Sequence, residues 1–462
     1  MACPVIGDNR GLFGSSGPAS FFPPGHCRPP SSAPSAVTSL VQTVPDSTFN
    51  PAGAPRPATA DGGMTPLERR ASLSLAGIFA LRMLGLFLVL PVFALEARKY
   101  PGGDDPALVG LAMGIYGLTQ AFLQMPFGIA SDRFGRKRVI VAGLLVFAAG
   151  SFVAAGADSL GGLLVGRALQ GAGAVSAAVT ALLADLTRDA VRTKAMALVG
   201  GSIGLMFALA LVIAPPLAAH IGLAGLFALT GVLALGGIAM LLWRVPPEPA
   251  RQANAPRGRI ADVLAHADLR RLNAGVFVLH TVQMAMWVAV PALLVQAGMA
   301  KDHHWQVYLP AVLASFVLMG GLLFPLERRG YLRGVLRGAV ALLLAVQAGF
   351  ALVARHAASG GAAELWPLAG LLFLFFCAFN ILEASQPSLV SKLAPPTFRG
   401  AALGLYNTLQ SLGLFAGGAL GGALVKLAGA PVLFAATAGL CAIWLLLTWG
   451  LKPIATVAGA GH

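Results

Sequence analysis

The sequence predicts an all-α membrane protein with twelve transmembrane helices in two pseudo-symmetric six-helix bundles. Three observations predict it. Of 462 residues, 57% are hydrophobic and only 11% are charged, and the mean hydropathy is +0.77. A soluble domain carries about 25% charged residues, so this chain cannot cover a globular surface against water. Apolar runs of about 20 residues recur along it, each near the length that crosses ~30 Å of hydrocarbon at ~1.5 Å per residue. The Lys and Arg residues gather on alternate connections between those runs. The 57 glycines agree, since small residues let membrane helices approach closely.

Residues 1–63 stand apart. They hold 11 of the 31 prolines, with many Ser, Ala and Gly and no helical period. A disordered amino-terminal extension is expected there. It is no signal peptide, because no basic segment precedes an apolar core. Met64 opens MTPLERRASLSL, which reads as a natural start leading into a membrane helix.

The apolar runs fall near 72–95, 107–127, 138–157, 161–184, 196–217 and 224–243, then 273–296, 306–325, 336–355, 366–388, 400–424 and 430–451. Backbone groups in lipid must be satisfied within their own segment, so each run is read as a helix. The first six make a bundle over 64–243 and the last six a bundle over 273–455. Between them, 244–272 is polar, Pro-rich and ends in a short amphipathic stretch, the expected linker. Residues 456–462 form a short tail.

Twelve crossings place both termini on one side. The connections of that side and their flanks carry 22 Lys and Arg, the other set 5. The positive-inside rule then assigns both termini to the cytoplasm. The same alternation excludes nucleic-acid binding, despite a net charge of +14, because the charge never gathers on one domain. Cys3, Cys27, Cys377 and Cys441 have no metal or disulfide spacing. His303-His304 reads as an exposed doublet without a third ligand. No paired carboxylates, nucleophile elbow or phosphate loop points to an enzyme, and neither a cofactor nor a metal is expected.

The halves echo one another. DLTRDAVRTKAMAL from Asp185 and KLAPPTFRGAALGL from Lys392 place Arg192 and Arg399 at an offset of 207, each opening a helix of small residues. Two six-helix repeats around a midplane site describe a secondary transporter.

One cluster interrupts the apolar pattern: Gly128-Ile-Ala-Ser-Asp132-Arg133-Phe-Gly135-Arg136-Lys137, between runs two and three. It resembles the loop 2–3 signature of the major facilitator superfamily. Arg167-Ala-Leu-Gln170-Gly171-Ala-Gly173 in run four resembles that family's second motif, and Gly85 to Pro91 the first-helix pattern of its drug–proton antiporters. RMLGLFLVLPV and FNILEASQPSLVSK look closest to the YajR-type branch. The resemblance covers Met64 to about residue 455 and implies the major facilitator fold. That branch usually has a small cytoplasmic domain after span twelve; the chain ends at His462, so the expectation is that it is absent. Where the superfamily's antiporters often carry a Gly-Pro kink in span five, this chain has Ala214-Pro215-Pro216.

Physical chemistry gives the charged cluster a role of its own. Glycine at both ends lets a short loop turn sharply. Asp132 can meet a helix amino terminus or a cation across the bundle interface. Arg133 and Arg136 can pair with carboxylates such as Asp185, in one rocking state and not the other. The resemblance implies that this loop, Lys137 included, latches the outward-open state. The alternative is plain topogenesis, with basic loops retained inside. The mirror loop, LERRGYLRGVLRG from Leu326, keeps the basic charge without the aspartate pattern.

Ionisable residues at membrane depth cost about 2.5–3.5 kcal/mol or more and mark function by default. Four stand out: Arg82, Arg167, His280 and Glu383. Burial favours the protonated form of Glu383, and a neighbouring cation favours the charged one. His280 titrates near neutrality unaided. Spans seven and ten line one cavity in the family arrangement, so Glu383 and His280, with Arg167 by family precedent, are the expected proton-coupling residues. Arg82, Tyr116, Gln120, Gln283, Asn380, Asn407 and Gln410 are the expected substrate-cavity residues; each alone could equally be a helix-packing hydrogen bond. Gly413, Gly417 and Gly421, four apart, suit close helix contact.

The expected protein is therefore a monomeric, multi-pass inner-membrane transporter. It would couple protons to efflux of small amphipathic, drug-like molecules by alternating access. A symporter or uniporter on the same fold, or a non-transporting scaffold or receptor, are the alternatives. Its partners would be a small-molecule substrate, protons and the lipid bilayer.

Overall fold

A computed structural model describes residues 63–248, 259–329, 331–361, 363–395 and 397–451. The extension up to residue 62, linker residues 249–258, the tail from 452, Cys3 and Cys27 lie outside the described residues. Among the described residues every regular element is helical. In order they are α1 (Pro66–Glu96), α2 (Pro106–Phe134), α3 (Arg136–Ala155), α4 (Leu160–Ala172), α5 (Ser176–Asp185), α6 (Asp189–Trp243), α7 (Ile260–Ala265), α8 (Ala267–Gln296), α9 (Trp305–Arg328), α10 (Leu332–Ala358), α11 (Leu365–Leu393) and α12 (Arg399–Trp449).

Ten segments are long and apolar enough to cross a membrane. Two of them, Lys194–Trp243 and Arg399–Trp449, have 50 and 51 residues, about twice the length a crossing needs. Each contains one non-helical residue, Gly222 at φ +66° and Gly429 at φ +80°. Only glycine adopts such a backbone cheaply. Divided there, the ten segments become twelve apolar rods.

Local chemistry sets the ends. Thr65 caps α1: its hydroxyl accepts from the Glu68 N–H at 3.2 Å, and the Thr65 N–H donates to Glu68 Oε2 at 2.8 Å. The short amphipathic end of the linker is α7, and α8 begins at Ala267, ahead of the expected residue 273. The fourth run, expected to be continuous, breaks at residues 173–175 between α4 and α5. There α3 comes so near that a Cβ on Gly173 would lie 2.4 Å from the Gly143 carbonyl. His304, expected to be exposed, is 1% exposed and packs edge-on to Tyr308. The apolar start of α9 draws its ring inward.

In the first half α1 lies along α6, and α3 and α2 pack on α4. In the second half α8 and α10 pack on α12, and α9 and α10 on α11. The halves meet chiefly where α2 packs on α12, α6 on α9, and α1 on α8. The α2–α12 seam is made of backbone. A Cβ on Gly110 would lie 2.2 Å from the Gly418 carbonyl, on Gly114 2.7 Å from that of Phe415, and on Gly117 2.3 Å from that of Ser411.

The two ends of the helix array differ. One end carries the arginine-rich connections and is called here the basic face. At the other end, Glu96 of α1 pairs with Lys301, which precedes α9, and Asp105 before α2 pairs with Lys426 of α12 at 2.7 Å. Both pairs cross between the halves. A T-shaped aromatic ladder, Phe87–Phe207–Phe376, also runs from α1 and α6 to α11. The halves are thus clasped at the face opposite the basic one.

Candidate functional site

The signature cluster is a joint between two helices. Only Gly135, at φ +105°, turns the chain, and it links α2 directly to α3. Gly128 does not flank a loop as expected. It lies inside α2, because Ile129 to Phe134 continue the helix without a breaker. Arg136 reaches back to Asp132 and across to Asp185, whose Oδ2 lies 3.1 Å from its Nε. The expected Arg136–Asp185 pair is present, and it stays inside the first half. Arg133 lies exposed on the last turn of α2.

Sequence reasoning missed the group that seats this joint. Glu248, just past α6, accepts the Arg136 N–H at 3.1 Å and the Lys137 N–H at 2.6 Å. A carboxylate at the first N–H groups of a helix satisfies donors that have no partner within it and meets the positive end of its dipole. Lys137 Nζ donates to the Val245 carbonyl at 2.7 Å. The joint is therefore fastened to the start of the linker.

Deeper in the first half, two arginines are buried, each 1% exposed. Arg82 donates to the Tyr116 hydroxyl at 2.8 Å and to Ser176 Oγ at 3.3 Å, with its guanidinium over the Phe147 ring. Arg167 donates to Gln170 Oε1 at 3.0 Å and to the Met113 carbonyl at 3.1 Å, over the Tyr116 ring. Gln170 in turn donates to Ser151 Oγ at 2.8 Å. These hydroxyls, carbonyls and rings replace the water that a guanidinium loses on burial. Arg82, expected at the cavity, is sealed between helices. Gln120 Oε1 is buried without a hydrogen-bond partner among the described residues.

The second half brings together three residues that the sequence placed in two separate groups. His280 of α8, Glu383 of α11 and Gln410 of α12 converge. His280 Nδ1 lies 3.0 Å from the Val276 carbonyl. A carbonyl only accepts, so Nδ1 carries a proton; in the neutral tautomer this leaves a lone pair at Nε2. The Gln410 amide nitrogen lies 2.7 Å from that Nε2 and 3.2 Å from Glu383 Oε1. With Nε2 in that tautomer both neighbours are acceptors, and the carboxamide NH2 has one hydrogen for each. The Glu383 side chain is 40% exposed, whereas that of His280 is 4% exposed. The trio runs from an accessible acid to a buried base.

The other cavity candidates do not join this trio. Asn380 donates to Ser315 Oγ at 2.8 Å, across to α9. Gln283 is 7% exposed on α8, and Asn407 offers its carbonyl to Ser411. Tyr406, which sequence reasoning passed over, is buried beside Glu383 with its hydroxyl unpartnered among the described residues. A cavity of about 480 Å³ lies elsewhere, near the opposite face, lined by Ala94, Asp104, Ala289 and Val425 among others.

Comparison with known proteins agrees with this architecture. The Major Facilitator Superfamily model matches residues 75–417. The chain is 43% identical to the inner membrane transport protein YajR of Escherichia coli over 396 residues, 85% of each chain. It is 30% identical to the multidrug resistance protein MdtH of Aeromonas salmonicida, over 79% of this chain and 91% of that one. Among solved structures, the human organic anion transporter MFSD10 superposes with a TM-score of 0.63 at 20% identity, over 83% of this chain and all of that one. Helical architecture, bundle packing, signature joint and relatives agree: the chain belongs to the Major Facilitator Superfamily.

Proposed function

We propose that the chain is a proton-coupled exporter of small amphipathic organic molecules in the inner membrane, working by alternating access with both termini in the cytoplasm. The observation that carries this reading is the His280–Gln410–Glu383 trio. It unites an accessible carboxyl with a buried imidazole at membrane depth, where ionisable groups are costly and mark proton or ion pathways. The multidrug resistance name of one relative supports the substrate class and the direction. The residues 64–243 and 273–455 act as the two rocking halves, with 244–272 as the cytoplasmic linker. The clasp between Glu96 and Lys301 fits an inward-facing state, in which the site opens toward the basic face. The joint from Gly128 to Lys137, with Asp185, serves the other state as its latch.

The experiment is proton-driven uptake of ethidium into proteoliposomes holding the full chain, compared with Glu383→Gln. The wild type accumulates dye when a proton gradient is imposed, and the variant transports without responding to it. Unaltered coupling in Glu383→Gln removes the trio from the mechanism.

A further inference from the structure

Resting on that proton-coupling reading, we propose that Gln410 is the positioning residue that converts protonation of the His280–Glu383 pair into movement of α12. Its carboxamide gives one hydrogen to His280 Nε2 and the other to Glu383 Oε1. Glu383 Oε2 is buried, has no hydrogen-bond partner among the described residues, and lies 3.4 Å from His280 Nε2. In this protonation state Oε2 and Nε2 are two acceptors facing each other. A proton taken from water at the accessible Glu383 bridges them. Once Nε2 holds that proton it has no lone pair for the amide N–H. With Nε2–H committed to Glu383 Oε2, the Gln410 amide N–H loses its acceptor on the ring, and the carboxamide must swing away from His280.

That change is felt along α12. Three residues after Gln410, a Cβ on Gly413 would lie 3.1 Å from His280 Cβ, so α12 and α8 touch at this level. Farther along, Gly418 and Gly422 seat α12 against Gly110 of α2 in the other half. Gln410 therefore stands at the end of a seam between the halves.

Tyr406 of α12 is buried four residues before Gln410, with its hydroxyl unpartnered among the described residues. Arg82 of α1 is turned to Tyr116 and Ser176. Toward the two faces, Asp105 before α2 pairs with Lys426, Lys301 with Glu96, and Asp268 with Arg271. Asp262 of α7 accepts from the Arg259 N–H, and Asp302 pairs with His303.

The test is a ring-¹⁵N histidine titration of the full chain in detergent, with His280 assigned by His280→Gln. Wild-type His280 should show the Nδ1–H tautomer with Nε2 accepting; an Nε2–H tautomer overturns the proposal without any variant. Gln410→Met keeps the length and removes both donors. Those donors favour the proton-free ring, so their loss should move the His280 midpoint in the titration. The pH profile of ethidium flux should move with it. Absent proton-driven flux in the wild type overturns the coupling reading itself. Proton-driven flux with an unmoved midpoint overturns only the assignment to Gln410.

Discussion

Replacing Glu96 by Gln should open the opposite face. The Glu96 side chain is 2% exposed and holds two lysines, Lys99 and Lys301. These partners differ in kind. Lys99 lies three residues away on the same segment, so its bond persists in every state. Lys301 belongs to the other half, so its bond exists only while that face is closed. A charge-assisted hydrogen bond contributes about 1.5–3 kcal/mol. Lys301 is 42% exposed and regains water when released, which lowers the effect on the state equilibrium to about 1–2 kcal/mol. That corresponds to roughly 5- to 30-fold in the ratio of states. The assay places a single cysteine, Ala289→Cys, in a chain lacking its four native cysteines. Ala289 lines the opposite-face cavity and is 4% exposed. An impermeant maleimide should label it about 5- to 30-fold faster in Glu96→Gln and in Lys301→Ala, and at the parent rate in Lys99→Ala. Equal effects of the two lysine variants, or an unmoved rate in Glu96→Gln, would refute the reasoning.

Two further outcomes use the same label. Gly114→Ala places a methyl 2.7 Å from the Phe415 carbonyl, so α2 and α12 must part; labelling should rise by at least the amount seen for Glu96→Gln, with the fold kept by circular dichroism. The hydrogen bond from Lys426 lowers the Asp105 carboxyl below its ordinary range. A carboxyl so lowered contributes closure above its free value and loses it as pH falls, so wild type and Asp105→Asn should differ at pH 7 and converge only below about pH 4.

Much of the fold is legible in the sequence because the bilayer imposes one rule on every segment. Composition and run length alone locate the rods. Breaks and joints are less legible. Gly128 and Gly135 look equivalent in sequence, but only Gly135 needs a positive φ, and that depends on where α3 must start. The break at 173–175 follows from the approach of α3, a tertiary contact that no local pattern announces. The site divides the same way. His280, Glu383 and Gln410 are each visible as polar residues in apolar runs. Their union is not, because Gln410 is 27 residues from one and 130 from the other, and only the packing of α8, α11 and α12 brings them together. Glu248 was missed because it lies 112 residues from the arginine whose N–H it accepts, in a stretch that reads simply as linker. Glu96 was missed for a related reason. An acid at the end of a span looks like ordinary interface until its partner on the other half is known.

The placement of these charges follows a physical rule that a cycling protein must obey. Breaking a buried ion pair and leaving one charge behind costs about 3–5 kcal/mol, enough to trap a rocking machine in one state. In the pairs that join the halves, Lys301 and Lys426 keep 42% and 51% exposure and return to water cheaply, and buried Glu96 keeps Lys99 when Lys301 leaves. The membrane-depth groups obey the converse. The side-chain hydrogen bonds of Arg82 and Arg167 stay within the first half, and those joining His280, Gln410 and Glu383 stay within the second. Rocking of one half against the other leaves those buried bonds intact. On the proposed coupling, a proton rearranges the interior trio, while motion makes and breaks the rim contacts.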